Sequence, residues 1–243
     1  MLRTETQEST PQSMVKEGYY FGLPPLAVGG IFFLLHWYVA AGVLVFLAAF
    51  VFSFFRDPER VIPAEQGAVV SPADGRVVVV IDEENAGRPG KRISIFLAIW
   101  NVHINRAPAA GTIKKLEYRP GKFLAAMRER ASMENEQNVF TLSTAAGEME
   151  FKQIAGLIAR RVVSWKKVGE NVGLGERIGL MRFSSRMDVW LPKEAELLVK
   201  PGESVKGGIS VLARWPGKTV MGKLDGKTAA ETDENLTTTG KRS

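Results

Sequence analysis

The chain has 243 residues, no cysteine, two histidines (His36 and His103), a net charge of +6 and a pI of about 9.5. Disulfides, thiolate nucleophiles and cysteine-based metal sites are thereby excluded, a histidine-rich metal site cannot be built, and no carboxylates fall at EF-hand spacing, so no metal is expected. The length allows one well-buried domain with an appendage, and the basic balance suits an anionic membrane, a nucleic acid or neither.

Residues 1–17 form a polar N-terminus, and from 18 to 55 there is no charged residue. Phe32-Phe33-Leu34-Leu35 and 43–55 are the most apolar parts of this run. A spanning helix needs about 20 apolar residues, so the run is too long for one untilted span and short for two. Two readings stay open: one membrane helix over 31–55, or a tight helical hairpin that dips in and returns near His36-Trp37-Tyr38. The hairpin is preferred, since Tyr19, Tyr20, Trp37 and Tyr38 suit interfacial depth. The apolar core is too long for a signal peptide and ends in Phe54-Phe55-Arg56-Asp57-Pro58 rather than a small-residue cleavage site. Residues 18–55 therefore read as a retained membrane anchor. Arg56 and Arg60 follow it directly, which puts the remaining domain on the cytoplasmic side of the cell membrane. That domain is expected to fold without the anchor.

Residues 56–223 break into short apolar runs separated by Gly and Pro: 68–70, 77–81, 93–98, 139–142, 161–163 and the long run 178–191. This frequency of turn signals predicts a mainly β domain with few helices. One helix is expected over 122–130, where Phe123, Ala126, Met127 and Arg130 follow helical spacing. Gly169-Glu-Asn-Val-x-x-Gly175 is echoed 33 residues later by Gly202-Glu-Ser-Val-x-x-Gly208. The glycines fit two β-turn corners needing positive φ, and the pattern looks like the turn of biotinyl- and lipoyl-type barrel-sandwich hybrids. The fold expected is a barrel-sandwich-hybrid-like β domain preceded by a hydrophobic membrane helix or helical hairpin. A carrier role would need a lysine between methionines on an exposed hairpin, and no Met-Lys-Met is present. Residues 224–243 are polar and expected to be a disordered tail.

Three segments carry chemistry. Gly179-Leu-Met-Arg-Phe-Ser-Ser-Arg-Met-Asp188 places a serine pair inside a strand-like run, an odd choice for a packed sheet. Ser71-Pro-Ala-Asp-Gly-Arg-Val77 contains Asp74 in a Pro-x-Asp-Gly turn, and Trp100-Asn-Val-His-Ile-Asn-Arg-Ala-Pro108 contains His103. Taken singly these are an exposed edge, a turn and a satisfied histidine. In this order they resemble the short form of the phosphatidylserine decarboxylase family, over about residues 54–215.

The resemblance implies a proenzyme that cuts itself between Ser184 and Ser185, leaving a β chain (1–184) and an α chain (185–243) whose new N-terminus is a pyruvoyl group. The pyruvoyl carbonyl, the cofactor, then takes up the electrons released when phosphatidylserine loses carbon dioxide to become phosphatidylethanolamine. Ser185 is the implied precursor, His103 the base for its hydroxyl, and Asp74 the group that orients the histidine, a hydrolase-like triad turned on its own backbone. Arg106, Lys122 and Arg182 are the candidate contacts for the lipid head group. The partner implied is phosphatidylserine in a membrane, with no nucleic acid; the oligomeric state stays open, a homo-oligomer included. Two departures from the family pattern stand out: Ser184 replaces the usual glycine before the scissile bond, and Arg106 stands where longer members carry a second histidine. Glu134-Asn-Glu-Gln-Asn138 and Gln153-Ile-Ala-Gly-Leu157 are also family-like, with no catalytic role assigned. The alternatives are a non-catalytic membrane-tethered β domain, or a serine hydrolase using Ser185, His103 and Asp74; the latter lacks a Gly-x-Ser-x-Gly elbow.

Overall fold

In a computed structural model of the chain, residues 14–157, 162–182 and 185–215 are described; the expected disordered tail lies outside them. The apolar N-terminal run folds as two helices, α1 (Lys16–Leu34) and α2 (Tyr38–Phe54). His36 turns the chain between them at φ 64, with Trp37 N–H donating to Phe32 O and His36 N–H to Phe33 O. This is a Schellman ending with a histidine where glycine is usual. Buried Gly29 on α1 lies against Leu44 and the Ala41 carbonyl of α2, and buried Gly22 lies under the Phe52 ring, so the missing side chains let the helices approach closely. The ends of the hairpin are clamped by a Met14–Arg56 bridge and by Val15 N–H donating to Phe55 O at 3.2 Å.

The hairpin corrects the alternative of one membrane helix over 31–55. No helix among the described residues is long and apolar enough to cross a membrane. At 1.5 Å per residue, 19 and 17 residues reach about 28 and 26 Å, short of a bilayer core of about 30 Å. The left-handed break at His36 divides what the sequence presents as one apolar run, and Pro24 and Pro25 further remove backbone donors from α1.

The rest is mainly β, and every strand pairing among the described residues is antiparallel. The largest sheet has eight strands. At its centre β3 (Arg88–Leu97) lies between β2 (Gly75–Asn85) and β11 (Ser185–Pro192). Beyond β11 follow β7 (Gly147–Ile154), β6 (Gln137–Thr144), β5 (Gly111–Arg119) and β9 (Asn171–Val172), while β13 (Ser204–Val205) borders β2. A second sheet joins β4 (Ile104–Arg106), β10 (Arg177–Met181) and β8 (Val162–Ser164), and a third joins β1 (Ala68–Val70), β14 (Val211–Arg214) and β12 (Glu196–Leu197). Strand periodicity puts Ile93, Ile95 and Leu97 of β3 on one face with Met187, Val189 and Leu191 of β11, all fully buried. Phe140 and Phe151, stacked at 4.7 Å, continue that core across β6 and β7.

The helix expected over 122–130 is not formed. That stretch is a series of turns, and the one short helix of the region is α3 (Ala131–Glu134). The Lys122 backbone bonds to Glu134 and Glu136, and the Asn135 side chain both accepts from Leu124 N–H and donates to Leu124 O. Cross-chain bonds thus replace i→i−4 bonds. The expected apolar face does not exist either, since Ala126 is buried while Met127 is 66% exposed.

Both copies of the Gly-Glu-x-Val-x-x-Gly repeat adopt the expected corners. Gly169 and Gly175 have φ 89 and 69, Gly202 and Gly208 have φ 94 and 75, and the intervening valines lie in β9 and β13. The two corners of the second copy differ in room. A Cβ on Gly208 would lie 2.9 Å from Arg106 Cδ, whereas one on Gly202 meets nothing within 4 Å. Gly202→Ala is therefore expected to cost about 1 kcal/mol from backbone strain alone, and Gly208→Ala distinctly more, because Arg106 must also move. Urea unfolding of the two variants checks this ordering; equal losses would refute it.

Candidate functional site

The register of the large sheet brings two of the three motifs to one end of β3. Arg76, Phe96 and Arg186 form a row across β2, β3 and β11. One residue further along lie Gly75, which follows Asp74, then Leu97, then Ser185, the last two a registered pair. At about 4.8 Å per strand, the Asp74 turn and Ser185 flank Leu97 with roughly 10 Å between their backbones. The third motif is tied to both. Arg106 N–H donates to Pro72 O at 2.8 Å, and Met181 N–H, four residues before Ser185, donates to His103 O at 3.2 Å. Gly75 and Gly179 are glycines by necessity here: a Cβ would lie 2.2 Å from Phe96 O and 2.1 Å from Val163 O.

Ser185 is the first residue of β11 and is fully buried. Its side chain is in phase with Met187, Val189 and Leu191, so a hydroxyl occupies an apolar row. Its Oγ finds no hydrogen-bond partner among the described residues. Such a group costs about 1–3 kcal/mol, and its retention calls for a reason beyond packing. Ser184 lies outside the described residues.

His103 is fully buried in the loop leading into β4. Its Nδ1 lies 2.8 Å from Asn101 O. A carbonyl can only accept, so Nδ1 carries the proton and the lone pair resides on Nε2. The ring lies against Phe54 of α2, with centroids 4.2 Å apart and planes inclined by 31°. Asp74 is engaged elsewhere. Its carboxylate accepts both contacts of Arg60 Nη2, at 2.9 and 3.2 Å, and Oδ1 also accepts from Gly207 N–H at 2.7 Å. The orienting hydrogen bond at His103 Nδ1 thus comes from the Asn101 carbonyl, while Asp74 fastens the linker before β1 and the 206–208 turn to the start of β2.

The three cations expected at the lipid head group are placed differently from one another. Arg106 is buried, donating to Gly175 O at 3.0 Å and Pro58 O at 3.2 Å, with Asp57 at 3.5 Å. Burial first, then the neighbouring Arg177 charge, lowers its pKa from the ordinary arginine value. Arg177 in turn pairs with Asp57 at 2.7 Å and Glu59 at 2.8 Å, and holds the Glu59 carboxyl below its usual range. Arg106 is therefore committed to the chain's own groups. Lys122 is exposed and paired with Glu134 at 2.9 Å. Arg182, three residues before Ser185, places its guanidinium over the Phe21 ring of α1, 5.6 Å from the centroid.

Reading the sequence missed a buried polar network immediately behind Ser185. Arg186, fully buried, donates Nε to Asp188 Oδ1 at 2.7 Å and Nη2 to Ser94 Oγ at 2.6 Å. Ser132 Oγ donates to Asp188 Oδ2 at 2.5 Å, and Arg92 reaches Ser94, Asp188, Glu83 and Glu129. The signal available was Arg-x-Asp on one face of a strand, opposite Arg-x-Ser on its neighbour, a pattern that by itself equally fits a solvated face. A second ladder runs Asn138 to Gln153 to Asn105 at 3.0 and 2.8 Å, which places Asn138 and Gln153, one from each family-like polar segment, in the interior. Asn105 Nδ2 and Gln137 Oε1 there are buried without partners among the described residues.

The sequence matches the profile of the family described as phosphatidylserine decarboxylase over residues 47–213. Similar curated proteins include the phosphatidylserine decarboxylase proenzymes of Solibacter usitatus (48% identical, covering 83% of this chain and 96% of the relative) and Magnetococcus marinus (44%, covering 84% and 96%). That of Symbiobacterium thermophilum is 47% identical, with 84% of this chain and 96% of the relative covered. A family match over residues 47–213, together with relatives aligned over almost their full length, means that this chain belongs to the phosphatidylserine decarboxylase family.

Proposed function

We propose that the chain is a phosphatidylserine decarboxylase made as a proenzyme, which cuts itself between Ser184 and Ser185 and acts with a pyruvoyl group at residue 185. The observation that carries this reading is the buried Ser185 Oγ, without a hydrogen-bond partner among the described residues, at a strand start, with the His103 and Asp74 segments tied around it. Ser185 also fits the group it would become. A chain beginning at the first residue of β11 keeps every ladder contact of that strand, so cutting there need not unfold the sheet. The lack of a Gly-x-Ser-x-Gly elbow around Ser185 counts against the serine hydrolase alternative.

His103 Nε2 takes the Ser185 hydroxyl proton, and Oγ attacks the carbonyl carbon of residue 184. The C–N bond breaks as the ester forms, leaving an amine on residue 185. Loss of the 185 Cα proton then breaks Cβ–Oγ and frees the 184 carboxylate. Water hydrolyses the resulting dehydroalanine, releases ammonia and leaves the pyruvoyl group, which when bound supplies an electron sink for decarboxylation. Asp74 acts as a positioning residue through Arg60 and Gly207. Arg182 and Lys122 remain the cations for the lipid phosphate. The two matched glycine corners support a barrel-sandwich-hybrid-like arrangement of the β domain.

The membrane at which this takes place is reached through the hairpin. Leu34 (76% exposed), Val39 (84%) and Phe46 (76%) present an apolar surface, and Trp37 and Tyr38 crown its tip. A hairpin that dips into the lipid and returns keeps both its ends on one side, the cytoplasmic side by the bias of Arg56 and Arg60. A phosphatidylserine-bearing surface would then concentrate both enzyme and substrate.

Ser185→Ala is expected to give one uncut chain without decarboxylase activity, and His103→Ala to block or greatly slow cutting, both read by intact mass. An active Ser185→Ala protein would sink the pyruvoyl assignment. Ser184→Gly is expected to cut faster, because a Cβ narrows the bent conformations open to the attacked peptide; slower cutting would make the Ser184 hydroxyl a participant. Arg186→Met should destabilise the fold by about 3–5 kcal/mol in urea unfolding, since it leaves the Asp188 carboxylate buried with only Arg92 and Ser132. A Val39→Glu, Phe46→Glu double variant should lose co-sedimentation with phosphatidylserine vesicles while still cutting; undiminished sedimentation would refute the hairpin as the lipid contact.

A further inference from the structure

The hairpin does more than lie beside the β domain. Phe54, the last residue of α2, is 2% exposed and covers a face of the His103 imidazole at 4.2 Å. Phe55 packs edge-on against Phe54 at 4.9 Å and stacks on Phe21 at 6.0 Å, and Phe21 carries the Arg182 guanidinium at 5.6 Å. The aromatic chain thus touches the His103 ring at one end and, at the other, the segment that leads to the scissile bond. Its floor is Val102, from the loop before β4, with Ile104 and Leu180, a registered pair of the strands that bring His103 and residue 181 together.

We propose that Phe54 is a positioning residue for self-cleavage, its ring holding the His103 imidazole in the plane that lets Nδ1 donate to Asn101 O and leaves Nε2 as the base. Packing on one ring face and a hydrogen bond at one ring edge together fix an imidazole more tightly than either alone. The same ring covers that face of the imidazole, at a centroid distance of 4.2 Å. The hairpin that bears Phe54 is then part of the maturation apparatus, apart from any contact with lipid. This rests on the assignment of His103 as the base for cleavage.

The test is a time course of cutting by the full-length chain, read by intact mass, for Phe54→Ala, Phe54→Leu and Phe54→Tyr, with the exposed β5 variant Tyr118→Ala as control and thermal unfolding run on each. Phe54→Ala should cut at least about 10-fold more slowly, as expected when a reacting group is loosely held. Phe54→Leu, which fills the space without a flat face, should also be slow; Phe54→Tyr should restore cutting, and Tyr118→Ala should match the parent. In uncut Ser185→Ala protein, nitrogen NMR of the imidazole should show the Nδ1–H form, retained with Tyr at 54 and mixed with Leu. A folded Phe54→Leu protein that cuts at the parent rate overturns the proposal, and this comparison stands even where Phe54→Ala fails to fold. The underlying assignment fails separately, if the parent chain stays uncut or His103→Ala cuts at the parent rate.

Discussion

The pairing register of β11 on β3 is the constraint from which the rest of the site follows. Ser185 opposite Leu97 puts the hydroxyl on the core face, and Arg186 opposite Phe96 puts the guanidinium on the other. A slip of one residue would exchange them, sending a charge into the packed row of Ile93, Ile95 and Leu97 and the serine into the polar network. That exchange is blocked on both faces at once. The apolar row loses several buried side chains, and Ser94, Asp188 and Ser132 lose the cation that satisfies them. The buried ion network thus serves as a register lock, the use for which buried polar groups are best attested. A lock next to the bond proposed for cutting has a second consequence. The strand beginning at residue 185 is held by β3 and β7 on either side, so its position does not depend on continuity with residue 184.

The linker from the hairpin to β1 is fixed by charge, alongside Ile62, which packs at the Gly175 and Gly208 corners. Asp57 lies between Arg106 and Arg177, Glu59 pairs with Arg177, and Arg60 pairs with Asp74. Arg106, Asp57 and Asp74 are largely withdrawn from water, so these pairs are less screened than surface ones. Removing one member would leave another as an uncompensated buried charge. Asp74, in the position the family resemblance marks, therefore acts at a distance: it joins the linker to the 206–208 turn, and the neighbouring Pro72 carbonyl receives the Arg106 N–H of the His103 strand.

Much of the β domain was legible because its information is local. Runs such as 68–70 and 139–142 alternate or cluster as strands do, and the two glycine corners announce themselves by composition. The three motifs were legible as an ordered set, although nothing in their spacing shows that Leu97 would stand between two of them. What was missed depends on contacts between distant residues. Residues 122–130 carry helical spacing, yet the Asn135 side chain, 11 residues past Leu124, ties that backbone into turns. Arg92, Ser94, Arg186 and Asp188 alternate like a wet face and become interior only because the segment ending in Ser132 lies across them. The hairpin was readable, but the boundary drawn at residue 55 was not a physical one.

Phe54 and Phe55 show why. They end an apolar run that sequence alone assigns to lipid, and they pack instead with Val102, Ile104 and Leu180 of the β domain. A domain begun at residue 56 would open that cluster to water, with losses on the order of 3 kcal/mol for each buried aromatic removed. Its first casualty would be the wall against His103. The expectation that the domain folds independently of its anchor therefore needs revision at its edge. The hairpin's tip faces outward with its exposed side chains, while its base is core. One helix thus carries two environments along its length, and the crossover between them lies within two turns of the residue that meets the imidazole.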